Sequence, residues 1–131
     1  MDLIPYPTEA MKRFSWLEEC LQEQLGVERE FKPEWQAFKY LIRDKMFAYI
    51  GVHEPTGRLI ITLKLNPLDS YSLREQYVDI IPGYYMNKTN WSTIFLDGEV
   101  PQELIKEIAC ASHKVLLSSF SKKVQQEILG A

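Results

Sequence analysis

Apolar residues alternate along the middle of the chain and step by threes and fours at its two ends. From Arg58 to Leu65 the alternate positions Leu59, Ile61, Leu63 and Leu65 are all apolar, against Arg58, Ile60, Thr62 and Lys64. A period of two places each set on its own face of a strand, and the first set must face a core. The same period runs through Val27 to Lys32, Gln36 to Ile42 and Lys45 to Val52, with a tight reversal at Arg43-Asp44 and a five-residue hairpin loop at His53 to Gly57. These segments predict an antiparallel meander. In the third strand Met46, Ala48, Ile50 and Val52 suit the core, which leaves Lys45, Phe47, Tyr49 and Gly51 outside.

Helical spacing brackets the meander. Thr8 serves as an N-cap for a helix whose stripe is Ala10, Phe14, Leu17, Leu21 and Leu25, and Gly26 ends it. Asp69 or Ser70 caps a short helix over Leu73 to Val78. Pro101 opens a long helix with Leu104, Ile108, Ala111 and Val115 on its buried stripe, widened by Ile105 and Leu116. Ser121 starts a terminal helix through Val124 and Ile128 to Gly130. Between the last two blocks, Pro82 to Asn90 reads as a loop rich in Tyr, Asn and Lys. Trp91 to Leu96 follows as a strand closed by Asp97-Gly98. Its Ser92, Ile94 and Leu96 are core-like, so Trp91, Thr93 and Phe95 join the outer set. The expected fold is an α+β two-layer domain spanning residues 1–131: an antiparallel sheet of about five strands packed on N- and C-terminal helices.

Composition narrows the picture. No apolar run approaches the ~20 residues of a membrane span, and the N-terminus lacks a basic-then-apolar leader. Two cysteines, Cys20 and Cys110, fit a reducing cytoplasm rather than a disulfide framework. The net charge of −3 argues against a general polyanion binder. Its distribution matters more: residues 1–34 carry eight acids and four bases, whereas residues 35–98 carry six and seven. The middle of the chain can therefore present a local basic surface.

Candidate chemistry is sparse. Glu18, Glu19 and Glu23 line the outer side of the first helix, a solvated face or a short acidic ridge. Cys110 and His113 are three apart and share a helix face, but Ser112 diverges from His113 by about 100° and no third orienting group follows. Helix packing is the plainer role for all three. His53 sits at a hairpin tip, where it is solvated. No spacing of Cys, His, Asp or Glu forms a zinc signature, and no glycine-rich loop follows a strand. The outer sheet face, by contrast, mixes cations with rings: Lys45, Tyr49, Lys64, Lys88 and Trp91. Such a face either stays amphipathic for solubility or binds nucleic acid, with bases on rings and ammonium groups on phosphates.

These residues carry a resemblance. Lys45-Met46-Phe47-Ala48, Leu63-Lys64, Asn87-Lys88-Thr89-Asn90-Trp91-Ser92-Thr93, Leu96-Asp97-Gly98 and Ala111-Ser112 are similar to the MmcQ/YjbR-like family from about residue 30 onward. His113 stands where relatives usually have tyrosine, and Asn90 where histidine often precedes the tryptophan. The resemblance implies a cytoplasmic bacterial protein of frataxin-like fold that binds DNA through a double-wing motif, without enzymatic activity, cofactor or metal. It makes Lys45, Lys64, Asn87, Lys88 and Trp91 the candidate nucleic-acid contacts. A monomer is expected. An adaptor that binds a protein or ligand through the 82–91 loop, with Tyr84, Tyr85 and Trp91, is the alternative. Iron handling by the acidic row follows only by analogy of fold.

Overall fold

The computed structural model describes residues 12–84 and 86–130. Thr8, Ala10 and Tyr85 lie outside the described residues. Six strands form one antiparallel sheet: β1 (Val27–Lys32), β2 (Ala37–Ile42), β3 (Lys45–His53), β4 (Arg58–Lys64), β5 (Ile80–Pro82) and β6 (Trp91–Phe95), ordered β1-β2-β3-β4-β6-β5. Among the described residues four α-helices accompany it: α1 (Ser15–Glu23), α2 (Pro67–Gln76), α3 (Gln102–Ser118) and α4 (Lys122–Ile128). The α+β two-layer reading holds, with one strand more than expected. The extra strand is β5, three residues that pair Ile80 with Ile94 and Pro82 with Ser92. It is too short for periodicity to reveal.

The helix-facing side of the sheet is apolar because the strand registers stack like with like. Ala48 faces Leu63, Ile50 faces Ile61, and Ile61 faces Ile94. With Leu17 and Leu21 of α1 and Ile105, Ile108 and Leu116 of α3, these residues form the buried core. Area removed from water on this scale is the main stabilising term for a chain of this size.

Three sequence expectations need correction. First, Phe47 is not on the outer face. Tyr40 pairs with Ala48 but Leu41 pairs with Met46, so Phe47 is the extra residue of a β-bulge. The bulge inverts the alternation before it, which sends Phe47 to the core and Met46 outside. Lys45 pairs with the buried Ile42 and so shares the helix-side face. Second, α2 begins at Pro67, six residues earlier than expected. Asn66 Oδ1 accepts a hydrogen bond from Asp69 N at 2.9 Å, and proline suits the first turn. Third, two members of the predicted stripes are exposed. Leu25 lies in the turn beyond α1, and Ala111 sits on the edge of α3, whose buried face runs through Ile105, Ile108, Ala109, Ser112, His113 and Leu116. Among the described residues no helix is long and apolar enough to cross a membrane.

Candidate functional site

The described residues from Gly83 to Trp91 lie over the outer face of the sheet and are held by their own polar groups together with Arg74 of α2 and Tyr49 and Thr93 of the sheet. Asn87 Oδ1 accepts from Thr89 N at 2.8 Å and Asn90 N at 3.2 Å, and Asn87 O accepts from Trp91 N at 3.1 Å. Asparagine thereby caps a single helical turn, the use for which its short amide is suited. Gly83 N donates to Trp91 O at 2.8 Å. A Cβ on Gly83 would stand 2.6 Å from Trp91 Cβ, so only glycine permits the approach. Lys88 Nζ donates to Gly83 O at 3.2 Å, which closes the loop on itself.

Arg74 of α2 is the hub that the sequence reading missed. Its Nη2 donates to Lys88 O and Trp91 O, both at 2.6 Å, and its Nε donates to Ser92 Oγ at 3.1 Å. Among the described residues it has no carboxylate partner, and desolvation lowers its pKa. A guanidinium fork matched to two carbonyls and a hydroxyl fixes the entry to β6. The only sequence signal was a lone arginine on a short helix.

Beneath the loop the outer face is a layer of buried hydroxyls. Thr62 and Thr93 share a hydrogen bond of 2.7 Å, Tyr84 N donates to Thr93 Oγ1 at 2.8 Å, and Tyr49 Oη donates to Tyr84 O at 2.5 Å. Burial pushes the Tyr49 phenol up to about 12, so it remains a neutral donor. Trp91 pairs with Lys64 on this same face, yet it is only 8% exposed. Its ring is scaffold. His53 is likewise packed rather than solvated: its ring lies 4.7 Å from that of Tyr84 and 4.9 Å from that of Phe95.

The candidate contacts are thus divided. Lys64 is on the outer face and Lys88 is exposed at the loop, while Lys45 is at the same end of the sheet on the opposite face. Asn87 is exposed but spends its carbonyl on the turn. The open ring of this face is Trp35, in the short turn Pro33–Trp35 between β1 and β2. Trp35 is 37% exposed and packs on Tyr49 with centroids 5.6 Å apart. Lys32 Nζ and Lys39 Nζ stand 5.8 and 5.9 Å from its centroid. Lys39 also pairs with Glu30 at 3.2 Å. Reading Pro33 only as a strand breaker hid this cluster.

The helical residues with chemical potential are structural. Ser112 Oγ donates to Phe47 O at 2.9 Å, and His113 Nε2 meets Leu25 O at 2.8 Å with its ring against Phe47. Cys110 is exposed, where it accepts from Gln24 Nε2 at 3.3 Å. In the acidic row, Glu18 is engaged by Arg29 at 3.1 Å. Among the described residues, no three His, Cys, Asp or Glu side chains converge on a point that would hold a metal ion.

Fold and site together define a sheet-on-helix α+β module whose outer face is closed by a capped loop at one end and carries a lysine-flanked tryptophan at the other. The chain belongs to the YjbR family, whose profile matches residues 23–115. It is 33% identical over 98 residues to the Escherichia coli K12 protein YjbR, a match that covers 75% of this chain and 80% of that one. It is 30% identical over 98 residues to YbdF of Escherichia coli O157:H7, with 75% and 77% covered. Among solved structures, Deinococcus radiodurans protein DR2400 superposes with a TM-score of 0.78 at 26% identity, covering 88% of this chain and 86% of that one. A Pseudomonas syringae protein shares the fold at 23% identity, with a TM-score of 0.62 over 77% and 96% of the two chains.

Proposed function

We propose that this YjbR-family protein is a non-catalytic, cytoplasmic nucleic-acid-binding module, and that single-stranded DNA lies across its outer sheet face. The observation that carries the reading is Trp35, 37% exposed with two lysine ammonium groups within 6 Å of its ring. A base stacking on that ring gains about 1–3 kcal/mol regardless of its identity. Lys32 and Lys39 then neutralise the flanking phosphates, with Lys64 and Lys88 further along the same face. A net charge of −3 keeps such binding weak and local. The adaptor reading of the 82–91 loop has less support, because Trp91 is buried and Tyr84 is pinned at both its N–H and its carbonyl.

Fluorescence anisotropy of a labelled oligothymidylate at low salt tests the proposal. Binding is expected to weaken as salt rises. The Lys32→Glu/Lys39→Glu variant should lower the slope of log K against log salt by about 1.4, from ~0.7 per lysine on a single strand. Glu30→Gln frees Lys39 from its partner and should tighten binding. An affinity that ignores both changes, or tighter binding of duplex than of single strand, overturns the proposal.

A further inference from the structure

On the helical layer, away from the outer sheet face, α2 and α3 diverge and leave an open groove of about 300 Å³. Its floor is Leu65 and Ile108, both buried, and its walls are Leu73 and Leu104. The exposed rim carries one carboxylate from each helix, Asp69 and Glu107. Neither has a lysine or arginine partner among the described residues. Lys106, the nearest cation in sequence, turns back one helical turn to Glu103 at 3.7 Å. Asp69 is already stabilised by Asn66 Nδ2 at 2.8 Å and by its place in the first turn of α2. Glu107, in the middle of α3, has no such compensation. An apolar floor beneath two exposed carboxylates without a cationic partner among the described residues, one of them, Glu107, uncompensated, is complementary to an apolar body ending in a positive charge. The volume is at the lower bound for small-molecule sites.

We infer that the α2–α3 groove is a binding site for a small amphipathic organic cation, an alkyl- or arylalkyl-ammonium, whose hydrocarbon lies on Leu65 and Ile108 and whose ammonium meets Glu107 and Asp69. The apolar part supplies most of the affinity, and the carboxylates select the sign of the head group. The ion pairs are partly exposed, so the selection is modest and falls with salt. The site is independent of nucleic-acid binding at the opposite face and stands or falls separately.

The test is a titration of the ¹⁵N-labelled protein with hexylamine, hexanol and hexanoate, following amide shifts. Hexylamine should saturate in the millimolar range and move resonances of residues 65–73 and 104–111. Hexanol should bind about threefold to fivefold more weakly at low salt, the share expected of exposed ion pairs, and hexanoate more weakly still. Glu107→Gln should bring hexylamine down to the level of hexanol. Ala111→Leu, at an exposed edge of the groove, should weaken both. Each variant's unfolding midpoint is measured first, and both substitutions are on the surface, so folding is not in question. Equal binding of hexanol and hexylamine, shifts centred elsewhere, or no saturation by about 10 mM, a ceiling near −3 kcal/mol of affinity, overturns the site. A basic peptide that binds there where hexylamine does not also overturns the small-cation assignment.

Discussion

The two ends of the outer sheet face are built on opposite principles. At the Trp91 end the loop is tied down by internal hydrogen bonds: Asn87 Oδ1 on its turn, Lys88 on Gly83 O, Tyr84 on Thr93 and Tyr49, and the chain entry on Arg74. At the Trp35 end the ring is 37% exposed, and of the two lysines beside it Lys39 holds an exposed acid, Glu30, whose side chain is 60% exposed. Buried polar groups that are fully satisfied specify a conformation. Lys32 and Lys39 are half-buried, with the Lys39 side chain 19% exposed, beside a ring that is 37% exposed, and it is this partly open ring that can meet a ligand. The residues most conspicuous in the sequence therefore serve the scaffold, and the accessible chemistry sits in an unremarkable turn.

The largest effect should come from removing the scaffold ring. Trp91→Ala deletes a side chain that is 8% exposed beneath the loop, and is expected to cost about 3–5 kcal/mol. For a domain of this length that lowers the melting temperature by about 10 °C or more. A thermal melt by circular dichroism checks it. An unchanged midpoint would mean that the loop does not cover the ring, and the contrast between the two ends would collapse.

Next in size is Arg74. Arg74→Met keeps the stem but leaves Lys88 O, Trp91 O and Ser92 Oγ without their charged donor, at an expected cost of about 1.5–3 kcal/mol. Hydrogen exchange should rise first in residues 83–91, before any global change. Arg74→Lys should recover only part of the loss, because an ammonium cannot reproduce the fork that reaches two carbonyls and a hydroxyl at once. Equal protection in Arg74→Met and the parent protein would remove Arg74 from its place as hub.

How much of this was legible follows from which signals are local. The four long strands and the terminal helices were readable because period two and period 3.6 are local statements about side-chain direction. The face of Phe47 was not, because a bulge is decided by the partner strand: only the pairing of Leu41 with Met46 reveals it. The helix Pro67–Gln76 starts earlier than its spacing predicts because Asn66, rather than Asp69 or Ser70, provides the cap. Of the five candidate contacts, Lys64 and Lys88 stay accessible on or beside the outer face, Lys45 moves to the other face with the bulge, Asn87 stays exposed but commits its Oδ1 to the turn, and Trp91 is buried beneath the loop. Arg74 is not legible because its partners lie 14 residues or more away in sequence, and Trp35 because its packing on Tyr49, also 14 residues away, is what sets the ring on the outer face beside its near neighbours Lys32 and Lys39.

The smallest stability effect should be at Trp35, and it sharpens the comparison most. Its ring packs on Tyr49 beside the ammonium groups of Lys32 and Lys39, and the residue is 37% exposed. Trp35→Ala loses one aromatic contact, about 1 kcal/mol, against about 3–5 kcal/mol expected of the buried Trp91. The same substitution should remove a stacking platform and weaken oligothymidylate binding about fivefold or more, at the lower end of what one stacked base contributes. Trp35→Phe should restore most of the stability and part of the affinity. Melting and anisotropy measured on the same three proteins separate the outcomes. If Trp35→Ala melts as low as Trp91→Ala, the turn is scaffold too, and the outer face has no end left open for a ligand.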